Sequence, residues 1–231
     1  MIDGVIFDKD GTLFDFRLSW ADWSARLLAE LARNEAHSAQ MAEAIGYDPQ
    51  ARDFAPHSPV IGATAHEIAA RLLPFLPGRD HQALTDRMND LAVSAPMAEA
   101  VPLLAVLGDL RARGLALGLA TNDAEAAARQ HLANHGVAGL FDYVAGYDSG
   151  HGGKPGPGML LAFARQMQLD PARVVMVGDS RHDMEAGRAA GMRCVAVLTG
   201  IAGAAELAPH ADAVLPDIAA LGGWIDGLGA R

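Results

Sequence analysis

Val5-Ile6-Phe7-Asp8-Lys9-Asp10-Gly11-Thr12-Leu13-Phe14 decides how the rest of this 231-residue chain is read. An apolar run stops on two aspartates that flank a single residue. Like charges held together away from water disfavour ionisation, so such a pair persists where something cationic sits beside it. If strand geometry continues, alternate residues share a face, so Asp8 and Asp10 point the same way and Lys9 points away from both. Gly11 supplies a sharp turn out of the strand, and the Thr12 hydroxyl can tie that turn down. A divalent metal with oxygen ligands is the natural counter-charge. The competing reading is a strand end followed by an Asx-type turn, with Asp10-Gly11 as turn chemistry alone.

Composition narrows the classes. The chain is 51% hydrophobic, enough to bury a core, which marks an ordered globular protein. Lys and Arg number 18 against 28 Asp and Glu, for a formal charge of -10. That field repels polyanions, so nucleic acid and anionic membrane surfaces are poor partners. A small phosphorylated substrate remains compatible, because a local metal and one lysine can reverse the sign inside a cleft. The only cysteine, Cys194, lies in an apolar run and reads as a small buried hydrophobe with no intrachain disulfide. Met1-Ile2-Asp3 lacks a basic signal-like region and no stretch is long and uncharged enough to span a bilayer, so the cytoplasm is the expected location.

Beyond the opening strand, residues 16–96 read as nearly all helix. Ser19-Trp20-Ala21-Asp22 is a plausible capping box, followed by Trp20, Trp23, Leu27, Leu28 and Leu31 at helical spacing. Further helices are expected over 38–45, from Thr64 to about Leu73, and between Asp80 and Val93. From residue 97 strands and helices alternate: strands at 115–121, 143–146, 173–178, 193–197 and 213–215, with helices at 103–113, 124–135, 157–167 and 181–190 and another after Asp217. Such alternation predicts an α/β fold with a parallel sheet covered on both faces. Sheets of this kind place their sites beyond the carboxyl ends of the strands.

The polar residues falling just past those ends are Asp8 and Asp10, then Thr121-Asn122-Asp123, then Gly178-Asp179-Ser180. Lys154 lies in a Gly/Pro-rich loop between the last two. All would converge on one sheet edge with several helix N-termini, which favour anions. Each part has a plainer reading: Thr121–Asp123 as a helix N-cap, Ser180-x-x-Asp183 as a capping box, Lys154 as a surface charge. Asp183 also lies four residues after Asp179, which puts both carboxylates on one side of the first helical turn, as metal binding would want. Gly152-Gly153-Lys154 is not a nucleotide loop, since Asp148 and Pro155 occupy positions that need Gly and Ser/Thr. The nine histidines show no metal-ligand spacing.

Taken together, Asp8-x-Asp10-Gly11-Thr12, Thr121-Asn122, Lys154-Pro155-x-Pro157 and Gly178-Asp179-Ser180-x-x-Asp183 closely resemble the haloacid dehalogenase superfamily of phosphohydrolases. The run from Gly178 to Gly191 is similar to its phosphoglycolate phosphatase-like branch. The resemblance implies a Rossmann-like parallel sheet core, residues 1–15 and 97–231, with an inserted all-helical cap domain, residues 16–96. It implies Asp8 as the nucleophile that forms an aspartyl-phosphate, and Asp10 as the general acid and base. Mg²⁺ would be held by Asp8, the Asp10 backbone carbonyl and Asp179, with Asp183 supporting. The Thr121 hydroxyl, the Asn122 N–H and the Lys154 ammonium would hold the other phosphoryl oxygens. Two positions depart from the pattern. Lys9 replaces an apolar residue, and Gly158 stands where an acidic residue is common, which would loosen the loop.

The expected activity is Mg²⁺-dependent hydrolysis of a small phosphorylated metabolite, with a phosphoglycolate-like compound as the leading substrate. A dehalogenase fits poorly, because the resemblance implies that such enzymes lack the second aspartate. A phosphomutase of the same superfamily, or a non-catalytic receiver-type phospho-signalling module, are the alternatives. Trp20, Trp23, Arg17, Arg52 and His57 are the cap residues expected to line the site, and an arginine there would suit an acidic substrate.

Overall fold

A computed structural model describes residues 2–229. In chain order its strands are β1 (Gly4–Phe7), β2 (Tyr47–Asp48), β3 (Asp53–Phe54), β4 (Ala116–Ala120), β5 (Tyr143–Ala145), β6 (Val174–Gly178), β7 (Arg193–Val197) and β8 (Ala213–Leu215). The helices are α1 (Phe16–Leu31), α2 (Glu35–Ala44), α3 (Ala65–Leu72), α4 (His81–Val93), α5 (Leu103–Ala112), α6 (Glu125–Asn134), α7 (Gly158–Gln166), α8 (Arg181–Ala189), α9 (Ala204–Leu207) and α10 (Leu221–Gly229).

Six of the strands form one parallel sheet in the order β5-β4-β1-β6-β7-β8. The period-two pattern of β1 explains its central place. Val5 and Phe7 enter one apolar cluster with Leu103, Leu107 and Leu132, and Ile6 enters the other with Phe163 and Met176. Val5 is in register with Leu117 on one side and Val175 on the other, Phe7 with Leu119 and Val177. After β1 the chain builds β4 and β5 on one side, then crosses back to build β6, β7 and β8 on the other. The strand order therefore reverses at β1, and the crevice past its carboxyl end is where ligands bind in such sheets.

The segment between β1 and α5 is assembled around its own apolar cluster, drawn from Phe16 through Ala95 with Ala127 of α6 joining it. Two expectations need correction here. Helix α1 starts three residues before Ser19, because the Asp15 side chain accepts from the Leu18 N–H at 2.9 Å and serves as the cap. Ser19 is buried inside the helix, and its hydroxyl accepts from the Ala98 N–H at 3.2 Å. The segment is also not wholly helical: β2 and β3 pair antiparallel, Tyr47 opposite Phe54 with ring centroids 5.2 Å apart. Two residues per strand leave no alternation to read. Elsewhere the capping box read at Ser180/Asp183 is formed, and the helix expected from Thr64 opens on a second one, Thr64/Glu67. Among the described residues no helix is long and apolar enough to cross a membrane. Cys194 is buried, and burial pushes its thiol up to about 11.

Candidate active site

The carboxyl ends of β1 and β6 lie side by side, since the Asp8 N–H donates to the Val177 carbonyl at 2.8 Å. This pairing sets Asp8 next to Asp179, and the first turn of α8 adds Asp183. Carboxylate oxygens of Asp8, Asp179 and Asp183 lie within 4.8 Å of one another, and all three residues are buried. The two readings of Asp183 prove compatible. One oxygen accepts from the Ser180 N–H at 3.0 Å and the Ser180 hydroxyl at 2.6 Å, closing the capping box. The other is ion-paired with Lys154 Nζ at 2.7 Å.

Lys154 arrives from the loop between β5 and α7 and is itself buried, with Nζ 2.5 Å from Asp8. Burial alone would lower its pKa, but Asp183 and Asp8 outweigh that and hold it above the ordinary lysine value. One ammonium is not enough for three carboxylates. Burial, opposed by Lys154 and reinforced by Asp183 and Asp10, lifts Asp8 to about 7. Burial and the charges of Asp8 and Asp183 push Asp179 well above the carboxylate range. This surplus of buried negative charge on an all-oxygen donor set is what a hard divalent cation relieves. The residues present fit such an ion.

Asp179 is enclosed by backbone. Gly11 has φ +80°, and a Cβ at Gly11 or at Gly200 would collide with the Asp179 carboxylate. The Thr12 hydroxyl donates to Asp179 at 3.5 Å, and the Thr199 hydroxyl donates to the Gly11 carbonyl at 2.6 Å. Sequence reasoning missed Thr199 and Gly200. The available signal was their place just past β7, on the same sheet edge as the other site residues.

Thr121 is buried at the end of β4, its N–H donating to the Ala145 carbonyl and its hydroxyl accepting from the Asp123 N–H, each at 3.0 Å. It does not cap α6, whose N-cap is Ala124. The Asn122 side chain acts as a clamp. Its Oδ1 accepts from the Lys154 N–H at 2.8 Å, while Nδ2 donates to the Lys154 carbonyl at 2.9 Å and the Gly62 carbonyl at 2.7 Å. Asn122 thus fixes the lysine loop and reaches the helical segment with the same amide. Gly158 does not loosen that loop as expected: a Cβ there would collide with the His151 carbonyl, so the close approach of the two backbones excludes any larger residue.

Lys9 also departs from expectation. The chain leaves strand geometry after Phe7, and the Lys9 side chain does not point away from the site. It is fully buried, with Nζ 3.0 Å from Asp10, 3.0 Å from Asp123, 3.1 Å from His131 Nδ1 and 5.2 Å from the centre of the Trp20 ring. Burial works against its charge, but Asp10 and Asp123 more than compensate and raise its pKa. His131 faces an ammonium at Nδ1 and therefore donates through Nε2 to the Ala92 carbonyl at 2.8 Å. Lys9 is thus the strut that orients Asp10. Replacing it with the near-isosteric Met strands Asp10 and Asp123 without their counter-charge. Lys9→Met is expected to lower unfolding free energy by about 3 kcal/mol, measured by urea denaturation at pH 7.

Asp8, Asp10, Thr121, Asn122, Lys154 and Asp183 line one cavity of about 60 Å³ between the sheet edge and the helical segment. Of the five candidates from that segment, Trp20 and Trp23 line it. The other three do not. Arg17 pairs with Asp53 at 2.7 Å and Arg52 with Asp22 at 3.6 Å, both at the surface, and His57 lines a separate groove. Charged side chains on the rim of a helical unit are drawn to partners in water, whereas the tryptophans are drawn under it.

Residues 2–191 match the haloacid dehalogenase-like hydrolase family. The chain is 33% identical over 230 residues to a Rhodospirillum rubrum protein named phosphoglycolate phosphatase, covering 97% of this chain and 91% of that one. A Haemophilus somnus structure described as a predicted phosphoglycolate phosphatase superposes with a TM-score of 0.76 at 19% identity, over 97% and 98% of the two chains. A β-phosphoglucomutase from Clostridium difficile gives 0.68 at 19% identity, over 96% and 93%. At these identities the two structures establish a shared fold and nothing finer.

Proposed function

This chain belongs to the haloacid dehalogenase-like hydrolases, and from that premise we propose that it is a Mg²⁺-dependent phosphomonoesterase working through a phosphorylated Asp8. It is a phosphatase, which sets aside the receiver-type signalling module. Asp8 attacks phosphorus; the ester P–O bond breaks as the acyl phosphate forms, and the electron pair leaves on the alcohol oxygen. Asp10 gives that oxygen a proton. It then takes a proton from the water that hydrolyses the aspartyl-phosphate, returning Asp8 and releasing inorganic phosphate. Thr121, the Asn122 N–H and Lys154 hold phosphoryl oxygens through both steps. Asp8, the Asp10 carbonyl, Asp179 and Asp183 would hold the Mg²⁺, which neutralises charge on the phosphoryl group. Residues 16–96 form the cap, which excludes water and meets the leaving group. The working location is the cytoplasm.

The observation that carries this reading is the buried cluster itself: three carboxylates within 4.8 Å of one another, with Lys154 Nζ 2.5 Å from the one at the end of β1. The test is a phosphate-release screen across small phosphorylated acids, sugar phosphates and nucleoside monophosphates, with and without Mg²⁺. The compound in the relatives' name, phosphoglycolate, heads the panel. Metal-dependent release from at least one small monoester is expected. Release unaffected by thorough chelation, or none from any ester, would overturn the proposal. Transfer to an acceptor hydroxyl in place of water would identify a phosphomutase.

A further inference from the structure

The cavity has two unlike walls. Its floor is the catalytic edge, where Asp8 and Asp183 are paired with Lys154, and Asp10 and Asp123 with Lys9. Its roof, from the helical segment, is apolar: Trp20, Trp23, Val60, Ile68, Met88 and Ala92. Among the described residues no lysine, arginine or histidine of that segment lines it. The cap arginines are engaged elsewhere, Arg17 with Asp53, Arg52 with Asp22 and Arg87 with Glu30, while Arg71 lines the separate groove. The remaining basic group on the wall, His182, stands on the core side, exposed and beside Gly62. A carboxylate on the leaving group would therefore meet apolar carbon above, while Lys9 and Lys154 below are already committed to aspartates, so among the described residues no free buried cation is left to pair it.

The roof does carry two unused polar atoms. Trp20 Nε1 and Asn89 Oδ1 are both buried without a hydrogen-bond partner, although each residue lines the cavity and Asn89 Nδ2 is already committed to the Tyr147 hydroxyl at 3.0 Å. A buried donor and acceptor without partners, on two residues of an otherwise apolar wall, are costly unless a ligand completes them. A hydroxyl group both accepts and donates, and it is uncharged. We infer that the substrate is the monophosphate of a short, uncharged alcohol with an apolar carbon body and one further hydroxyl, not a phosphorylated acid. This rests on the phosphatase reading above, and it revises the substrate suggested by the relatives' name.

The test compares kcat/KM on matched esters of two and four carbons: the ω-hydroxyalkyl phosphate, the plain alkyl phosphate, and the ω-carboxylate (phosphoglycolate at two carbons). p-Nitrophenyl phosphate serves as a general phosphatase substrate. The neutral hydroxy ester is expected to exceed the acid of the same length by at least about tenfold, and to exceed the plain alkyl ester. Trp20→Phe and Asn89→Leu, which keep most of the packing volume, should each reduce the ratio of hydroxy to alkyl ester. An acid ester turned over as well as or better than its neutral partner overturns the inference while leaving the phosphatase intact. A hydroxy-to-alkyl ratio near one in the native protein overturns the assignment to Trp20 and Asn89. No turnover of any ester, p-nitrophenyl phosphate included, overturns both readings.

Discussion

Asp8→Asn is expected to cut phosphate release by at least about 10³-fold on every substrate, and to abolish covalent phosphate on the protein as read by intact mass after rapid quenching. The substitution keeps the shape but replaces one carboxylate oxygen with an amide nitrogen and removes the nucleophile's charge. Stability should move the other way. Asp8 is lifted to about 7 by burial and by Asp183 and Asp10, in spite of Lys154. Its ionised form therefore burdens the metal-free fold at pH 8, and Asn removes that burden while Lys154 keeps its pairing with Asp183 at 2.7 Å. The metal-free variant should melt above wild type at pH 8. At pH 4 the two should approach one another, because the native Asp8 then holds its proton. A variant that retains activity within about tenfold of wild type would remove Asp8 from the chemistry altogether.

Removing the divalent ion with a chelator should stop turnover, and the effect on stability should depend on pH in a defined sense. An ordinary Asp titrates at 3.8, whereas Asp8 titrates at about 7 in the fold. Between these values the folded chain holds a proton that the unfolded chain has lost, so this contribution is full below 3.8 and fades as pH rises through 7. Asp179 acts in the same direction. His131 opposes them: burial and Lys9 push it down to about 4 from 6.5, so its contribution is lost as pH falls through that window. The useful measurement is therefore the Mg²⁺-dependent increment in Tm, from which His131 cancels. An ion that must displace protons from Asp8 and Asp179 binds more weakly in acid, by up to about tenfold per pH unit for each proton displaced. The increment should be large at pH 8 and small at pH 5. Equal increments would mean that the ion does not bind at these carboxylates.

Much of this architecture was legible because it is written in local pattern. Strand–helix alternation from residue 97 gave the parallel sheet; the carboxyl-edge rule selected Asp8, Thr121 and Asp179, the intervening loop supplied Lys154 and helical spacing supplied Asp183, and the fold does bring these together. Failures came where a side chain's destination depends on distant segments. Lys9 reads as outward-facing under strand periodicity, yet the strand ends at Phe7 and the side chain finds Asp10, Asp123 and His131. Gly158 reads as a weakened loop, yet the loop's own return past His151 leaves no room for a Cβ. The β2/β3 pair is too short for any period to register.

By itself the sequence determined the order of the strands' polar ends and the chemistry of each group, because backbone periodicity and side-chain type are local properties. It could not determine which side chains roof the cavity. Residues 16–96 gather around their own apolar cluster, and only the way this segment packs against α6 and the sheet edge decides which of its side chains close the cavity. That packing put Trp20, Trp23 and Asn89 inside and left Arg17 and Arg52 at the surface, because a tryptophan gains by leaving water and an unpaired guanidinium does not.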